Sequence, residues 1–412
     1  MLSAEENKLL TQVGPGTPMG DLMRRYWFPI AAYGEILARE SGTLPVRHLG
    51  EEFVLFREPS GKLGLLGRFC THRGMDLVRG FVEDGGIRCV IDGWKFTPEG
   101  RCVDRPMEND EGLPSHEYDT NGHPVQEFGG LVWAYIGPEP VPLLPHWRPL
   151  VGTNDVRDIG ITDVPCNWLQ LMENSMDPVH VEWLHGYYGS QIKDDRFVPR
   201  RHERIGFDVF KHGVIKRRLL EGQTEDDDEW KTGHPVLFPN TLYIGDQIKE
   251  GLQIRVPVDD THTRHYWYSI FKPAPGATAP KQDVVPYRYV PLHDEDGKFI
   301  TGYTTSQDFI CAILQGPIAD RTLENLGESD RGIIMFRRLL KEQMAIADDG
   351  GDPMNVIRDA IENESLDVSV ETVFWGEWDR ILRSPFSEPG ESPGIAEIRT
   401  VLETWRGSSS EG

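Results

Sequence analysis

The stretch from Cys70 to Trp94 constrains this chain more than any other. It reads Cys70-Thr-His72-Arg-Gly and, after sixteen intervening residues counted from His72, Cys89-Val-Ile-Asp92-Gly-Trp94. Two thiols, an imidazole and a carboxylate at that spacing make up a compact donor set. Iron–sulfur clusters and tetrahedral zinc are the two chemistries that use such a set. Either would require the two loops to fold side by side, with their donors converging.

Composition narrows what surrounds this centre. A chain of 412 residues favours two domains over one. The five cysteines, Cys70, Cys89, Cys102, Cys166 and Cys311, are scattered and odd in number, unlike a disulfide scaffold. The N-terminus lacks the basic segment and apolar run of a signal peptide, and no stretch is apolar enough for a membrane helix, so the expected location is the cytoplasm. With 66 acidic against 43 basic residues the net charge is −23, which argues against nucleic-acid binding. Short basic runs at Arg200-Arg201 and Lys216-Arg217-Arg218 read as solvated strand or loop faces.

Residues 25–145 read as an all-β unit, with apolar runs at Glu52–Arg57, Gly86–Ile91 and Gly130–Ile136 between Gly, Pro and Asp turn signals. The proline-rich segment 137–145 marks a boundary between domains 1–145 and 146–412. Beyond it the spacing predicts helix over Asn167–Trp183, strands at Thr241–Ile244 and Thr263–Phe271, and helix again over Asp330–Ala347. The Ser408–Gly412 tail is expected to be disordered.

A second donor set opens the second domain: Glu173-Asn174-Ser-Met-Asp177-Pro-Val-His180-Val-Glu-Trp-Leu-His185-Gly186. Asp177 and His180, three apart, share one face of a helix. His180 and His185 are five apart, about 140° around a regular helix. Both can reach one metal only if the helix widens locally, as a π-bulge does. Read alone, the pair is more simply two ordinary helical histidines, one buried and one exposed.

Taken with Asn167-Trp-Leu-Gln upstream and Gln307-Asp308-Phe … Gln315-Gly-Pro-Ile-Ala-Asp-Arg-Thr downstream, this run resembles the iron-site motif of Rieske non-haem iron oxygenases, in the phthalate dioxygenase branch. The resemblance covers nearly the whole chain and keeps the family's order. It implies an α+β chain: an all-β Rieske [2Fe–2S] domain, then a catalytic domain with an antiparallel, helix-grip-like sheet packed by helices. It implies that Cys70, His72 and Cys89 hold the cluster with Trp94 beside it, and that His180, His185 and Asp308 hold a mononuclear Fe(II) as a two-histidine, one-carboxylate triad. Asp320 and Asp330 compete with Asp308 on sequence alone. Asn174 matches an amide near that iron, and Asp177 a carboxylate that relays electrons and protons between centres. The resemblance further implies an aromatic substrate, O2, a reductase with or without a ferredoxin, and a homotrimer or a stack of two. Products would be a diol, a phenol, or the result of O- or N-dealkylation.

At Asp92 the chain departs from the pattern, which calls for a histidine there. An aspartate can ligate iron through oxygen, but it cannot also donate a proton through a far ring nitrogen. Cys102 is a conceivable substitute ligand, a four-ligand zinc site is a second chemistry for the loops, and a catalytically silent partner subunit is a second function for the chain.

Overall fold

The computed structural model describes residues 1–108, 116–193, 200–372, 385–386 and 388–408; the expectation for the tail beyond 408 lies outside these residues. The first part is built of short strands. They are β1 (Phe28–Ala32), β2 (Thr43–His48), β3 (Glu51–Arg57), β4 (Leu63–Gly67), β5 (Phe81–Glu83), β6 (Gly86–Arg88), β7 (Lys95–Phe96), β8 (Cys102–Asp104), β9 (Gly122–His123), β10 (Val125–Phe128) and β11 (Leu131–Ala134). They form three antiparallel sheets, ordered β1-β11-β10, β2-β3-β4-β9 and β5-β6-β7-β8. The β5–β6 turn needs Gly86, at φ +139°: a Cβ there would meet the Phe96 carbonyl oxygen at 1.9 Å.

Val54, Phe56, Leu66, Leu77, Ile87, Trp94 and Phe96 form a small apolar core of their own, and Cys70 and Cys89 are buried within it. The first part therefore has a rigid apolar base from which the two donor loops project. The run expected to reach Ile91 leaves the ladder after Arg88, because the chain must turn at Ile91–Gly93 to form the second loop.

The second part carries one large sheet, from β12 (Val156–Val164), β13 (His202–Phe210), β14 (Gly213–Leu220), β15 (His234–Leu237), β16 (Thr241–Gly245), β17 (Lys249–Pro257), β18 (Thr263–Phe271) and β19 (Tyr287–Tyr289). Its order is β13-β14-β15-β16-β17-β18-β12-β19, antiparallel except for the β12–β19 edge pair. The Trp168–Met176 helix packs on β17 and is flanked by the Thr304–Leu314 and Arg331–Asp348 helices. Trp168, Leu169, Leu171, Met172 and Met176 are buried, the face that their spacing predicts.

Two features tie the parts together. The N-terminal helices Ala4–Thr11 and Pro18–Met23 pack against the Trp168–Met176 and Arg331–Asp348 helices. Asn167 Nδ2 donates to the Thr11 carbonyl (2.9 Å), and the Val13 N–H to Asp260 Oδ1 (2.8 Å). Beneath them lies a buried ionic node: Glu173 accepts from Arg321 Nη2 (2.7 Å) and Arg337 Nε (2.7 Å). Both guanidiniums are buried, so each charge is desolvated and must be compensated inside the protein; Arg337 also donates to Glu324 Oε2 at 2.8 Å, and Arg321 Nη1 to Asn7 Oδ1 at 3.1 Å.

Candidate metal centres

The Trp168–Met176 helix ends at Asp177, whose extended backbone (φ −95°, ψ 114°) breaks the helix expected to run through it. Asp177 and His180 therefore meet across a turn and not along a helical face, with Oδ2 3.7 Å from His180 Nδ1. The chain resumes as a π-helical turn over Val181–Tyr188. Its i→i+5 bonding stacks residues five apart, which is the widening that His180 and His185 need. Their rings sit 5.1 Å apart at 80°.

Asp308, on the Thr304–Leu314 helix, completes the set. Its Oδ1 is 3.5 Å from His180 Nε2 and 3.2 Å from His185 Nε2. One donor atom from each residue falls within 4.8 Å of the other two, a spacing that one metal ion can bridge. Burial opposes ionisation of Asp308, but the two imidazoles and Asn174 hold its pKa below the usual carboxylate range. Asn174 Nδ2 donates to Asp308 Oδ1 (3.1 Å), and Gln307 Oε1 faces His185 Nδ1 at 2.9 Å, fixing that ring. Asp320 and Asp330 do not join this set: exposed Asp320 bonds to Thr322, and half-buried Asp330 to the Gly327 N–H.

A cavity of about 340 Å³ opens on the triad. Leu242, Ile244, Gly251 and Thr305 line it with Lys216, Arg218, His234 and Glu371. Here the solvated-face reading of the Lys216–Arg218 run fails. Strand alternation sends Lys216 and Arg218 inward, where both are buried, and leaves Arg217 to pair with Asp208 at 2.7 Å on the other face. Arg200 and Arg201 are exposed as expected. Glu371 accepts from Arg218 (3.1 Å) and lies 2.5 Å from His234 Nε2. Lys216 forms no ion pair or side-chain hydrogen bond with any described residue. Burial, and then Arg218, push its ammonium pKa down to about 8.

At the other candidate centre Cys70 and Cys89 face each other. Burial, and the neighbouring thiol, raise the Cys70 pKa to about 11. His72 stacks on Trp94, centroids 4.4 Å apart at 6°, and Asp92 Oδ2 lies 3.1 Å from His72 Nδ1. Cys102 stays on β8, where its N–H donates to Asp119.

The family described as "Rieske [2Fe-2S] domain" matches residues 26–124, and "Vanillate O-demethylase oxygenase C-terminal domain" matches residues 164–345. The 5,5'-dehydrodivanillate O-demethylase oxygenase subunit of Sphingobium sp. strain SYK-6 is 41% identical over 373 residues, 89% of this chain and 86% of that one. The chain belongs to the Rieske non-haem iron oxygenases. This oxygenase is also 29% identical to the phthalate 4,5-dioxygenase oxygenase subunit of Pseudomonas putida, over 84% of this chain and 87% of that one. NdmA of Pseudomonas putida CBB5 shares the fold, with a TM-score of 0.60 at 16% identity over 81% of this chain and 94% of that one.

As a member of this family the oxygenase is an oxidoreductase that uses a [2Fe–2S] cluster and a mononuclear iron, on an α+β chain with an all-β first part. The donor chemistry suits both groups: thiols at one centre, two imidazoles and an ionised carboxylate at the other. No helix among the described residues is long and apolar enough to cross a membrane. Sequence reasoning missed Lys216, His234 and Glu371 as cavity residues, and Gln307 as the group that orients His185.

Proposed function

We propose that this chain is the oxygenase component of a multicomponent system that monooxygenates an anionic aromatic substrate, with O-demethylation of a methoxy-substituted aromatic acid as the leading reaction. Residues 1–145 carry the cluster on Cys70, His72 and Cys89, beside Trp94, and residues 146–412 carry the iron on His180, His185 and Asp308. A separate reductase, alone or through a ferredoxin, supplies electrons, and the oligomer is a homotrimer or a pair of trimers in the cytoplasm.

One observation carries the reading: the triad opens on a cavity whose wall holds the buried Lys216 ammonium, which has no ion-pair partner among the described residues. A desolvated cation beside an iron site selects a substrate that brings its own negative charge. The names of the two relatives, dehydrodivanillate and phthalate, support it, since both denote aromatic acids.

When bound, the mononuclear iron supplies the site that binds and activates O2. The chain's own groups do the rest. Gln307 and Asn174 hold the His185 ring and the Asp308 carboxylate in place, and the apolar wall at Leu242 and Ile244 excludes water from the ring. Asp177, held below the usual carboxylate range against the effect of burial by His180 and the Val179 N–H, stands behind His180 as an ionised proton acceptor.

The test is turnover by metal-loaded protein with NADH and a reductase of this class on a panel of methoxylated aromatic acids. Formaldehyde release coupled to O2 uptake is expected, and both should vanish in His185→Ala with loss of mononuclear iron. Full iron occupancy and activity in that variant would refute the ligand assignment. Fully loaded protein that consumes no O2 with any panel member would favour the silent-subunit reading.

A further inference from the structure

Asp92 lies at an exposed loop tip, yet its carboxylate is engaged there by two named groups, His72 and Arg73. The two donor loops are built alike. The Gly74 N–H closes on the Cys70 carbonyl (2.8 Å) and the Gly93 N–H on that of Cys89 (3.1 Å). Both glycines sit at positive φ, +70° and +77°. Each turn leaves its cysteine buried and carries the second donor, His72 or Asp92, to the half-exposed outer side. The result is a two-plus-two array: thiol facing thiol inside, imidazole facing carboxylate outside.

The outer pair has the dimensions of a shared metal. Two donors on one tetrahedral ion with bonds of about 2.0–2.1 Å stand about 3.3 Å apart. Asp92 Oδ2 is 3.1 Å from His72 Nδ1. The His72 ring is held flat on Trp94, so packing presents that nitrogen to Asp92. No other histidine occurs between His48 and His116 to take the fourth position. Arg73 Nη2 donates to the same Asp92 oxygen at 2.7 Å. An ionised carboxylate oxygen has lone pairs for both a metal and a donor.

We propose that Asp92 and His72 together hold the outer iron of the cluster and Cys70 and Cys89 the inner iron, with the Arg73 guanidinium as countercharge. This assignment rests on the reading of the chain as a cluster-bearing oxygenase. Exchanging a neutral imidazole for a carboxylate adds one negative charge at the outer iron, which lowers the reduction potential. Arg73 returns one positive charge within hydrogen-bond distance. It also gives the half-exposed tip outward-facing N–H donors, which a carboxylate lacks and a histidine ligand would have provided.

The experiment uses the full-length metal-loaded protein. Cluster iron and acid-labile sulfide are assayed, strongly coupled ¹⁴N nuclei are counted by pulsed EPR of the dithionite-reduced form, and the midpoint potential is read by film voltammetry. The native chain should show one coupled nitrogen. Asp92→His should show two and a higher potential. Asp92→Ala should lose cluster iron and sulfide while keeping the native thermal melt and mononuclear iron. Arg73→Gln should keep the one-nitrogen signature and lower the potential, and Arg73→Lys should restore most of that drop.

Two coupled nitrogens in the native protein would overturn the assignment, as would an Asp92→Ala variant with native spectrum and potential. So would a cluster that assembles only in Asp92→His. If neither the native chain nor Asp92→His holds cluster iron while the His180 site loads, the cluster-bearing reading falls together with the assignment.

Discussion

Replacing Lys216 by Met should separate what this residue costs the fold from what it contributes to binding. Lys216 is 5% exposed, and no described carboxylate pairs with it. Met has a similar length and no charge, so the substitution removes a desolvated ammonium without opening a cavity. A gain in stability of about 1–2 kcal/mol is expected in the substrate-free protein. A charge-assisted hydrogen bond to a substrate carboxylate is worth about 1.5–3 kcal/mol, so KM for an aromatic acid should rise about 10- to 150-fold. The methyl ester of the same acid offers no charge, and its KM should change little. Paired steady-state assays on acid and ester, with urea melts of both proteins, give all of these quantities. Because the ammonium pKa is lowered to about 8, with Arg218, Asp177, Glu371 and Asp308 as the charges around it, acid affinity in the native enzyme should fall as pH rises through 8. The Met variant should lack that fall. Equal effects on acid and ester, or none on either, would refute the reasoning.

Three further outcomes follow from other parts of the molecule. Glu173→Ala leaves the buried Arg321 guanidinium without a carboxylate partner and Arg337 with Glu324 alone, and it should destabilise the fold by about 3–5 kcal/mol in urea melts. Gln307→Leu leaves His185 Nδ1 without its partner, so mononuclear Fe(II) affinity should drop about 10- to 100-fold by chelator competition, with the melt nearly unchanged. His48 is buried and, chiefly through desolvation, has its pKa lowered from 6.5 to about 3. Only the unfolded chain takes up its proton between these values, so stability is full above pH 6.5 and lost as pH falls, by about 1.4 kcal/mol per unit from this residue. His48→Asn should flatten the melt-versus-pH slope by one proton.

The strand Thr263–Phe271 lies where it was expected, and the helix expected over Asp330–Ala347 lies one residue later, at Arg331–Asp348. These elements carry strong periodicity and bury a continuous face. The meeting of the three donors was legible because the spacing was informative: histidines five positions apart can share one metal only with a local widening. Lys216 was not legible, because the run Lys-Arg-Arg looks the same whether a strand edge is wet or covered. What covers it comes from far away in sequence, at His234, Thr305 and Glu371. Asp177 misled for a related reason. Three-residue spacing fits a helix, yet proline follows it, and the residue before a proline avoids helical backbone.

The π-helical turn also determines how this centre can be lost. In an ordinary helix a metal pair is set by side-chain identity, so a lineage abandons it by substitution. Here the pair depends equally on one surplus residue between His180 and His185. Deleting any one of Val181, Glu182, Trp183 or Leu184 would let the segment relax into a regular helix, with the imidazoles four apart and their alignment to Asp308 reset. Every ligand would survive such a change, and a comparison of ligand identities would call the site intact. In this chain, the length of that interval matters to the meeting of the three donors as much as the residues that bound it.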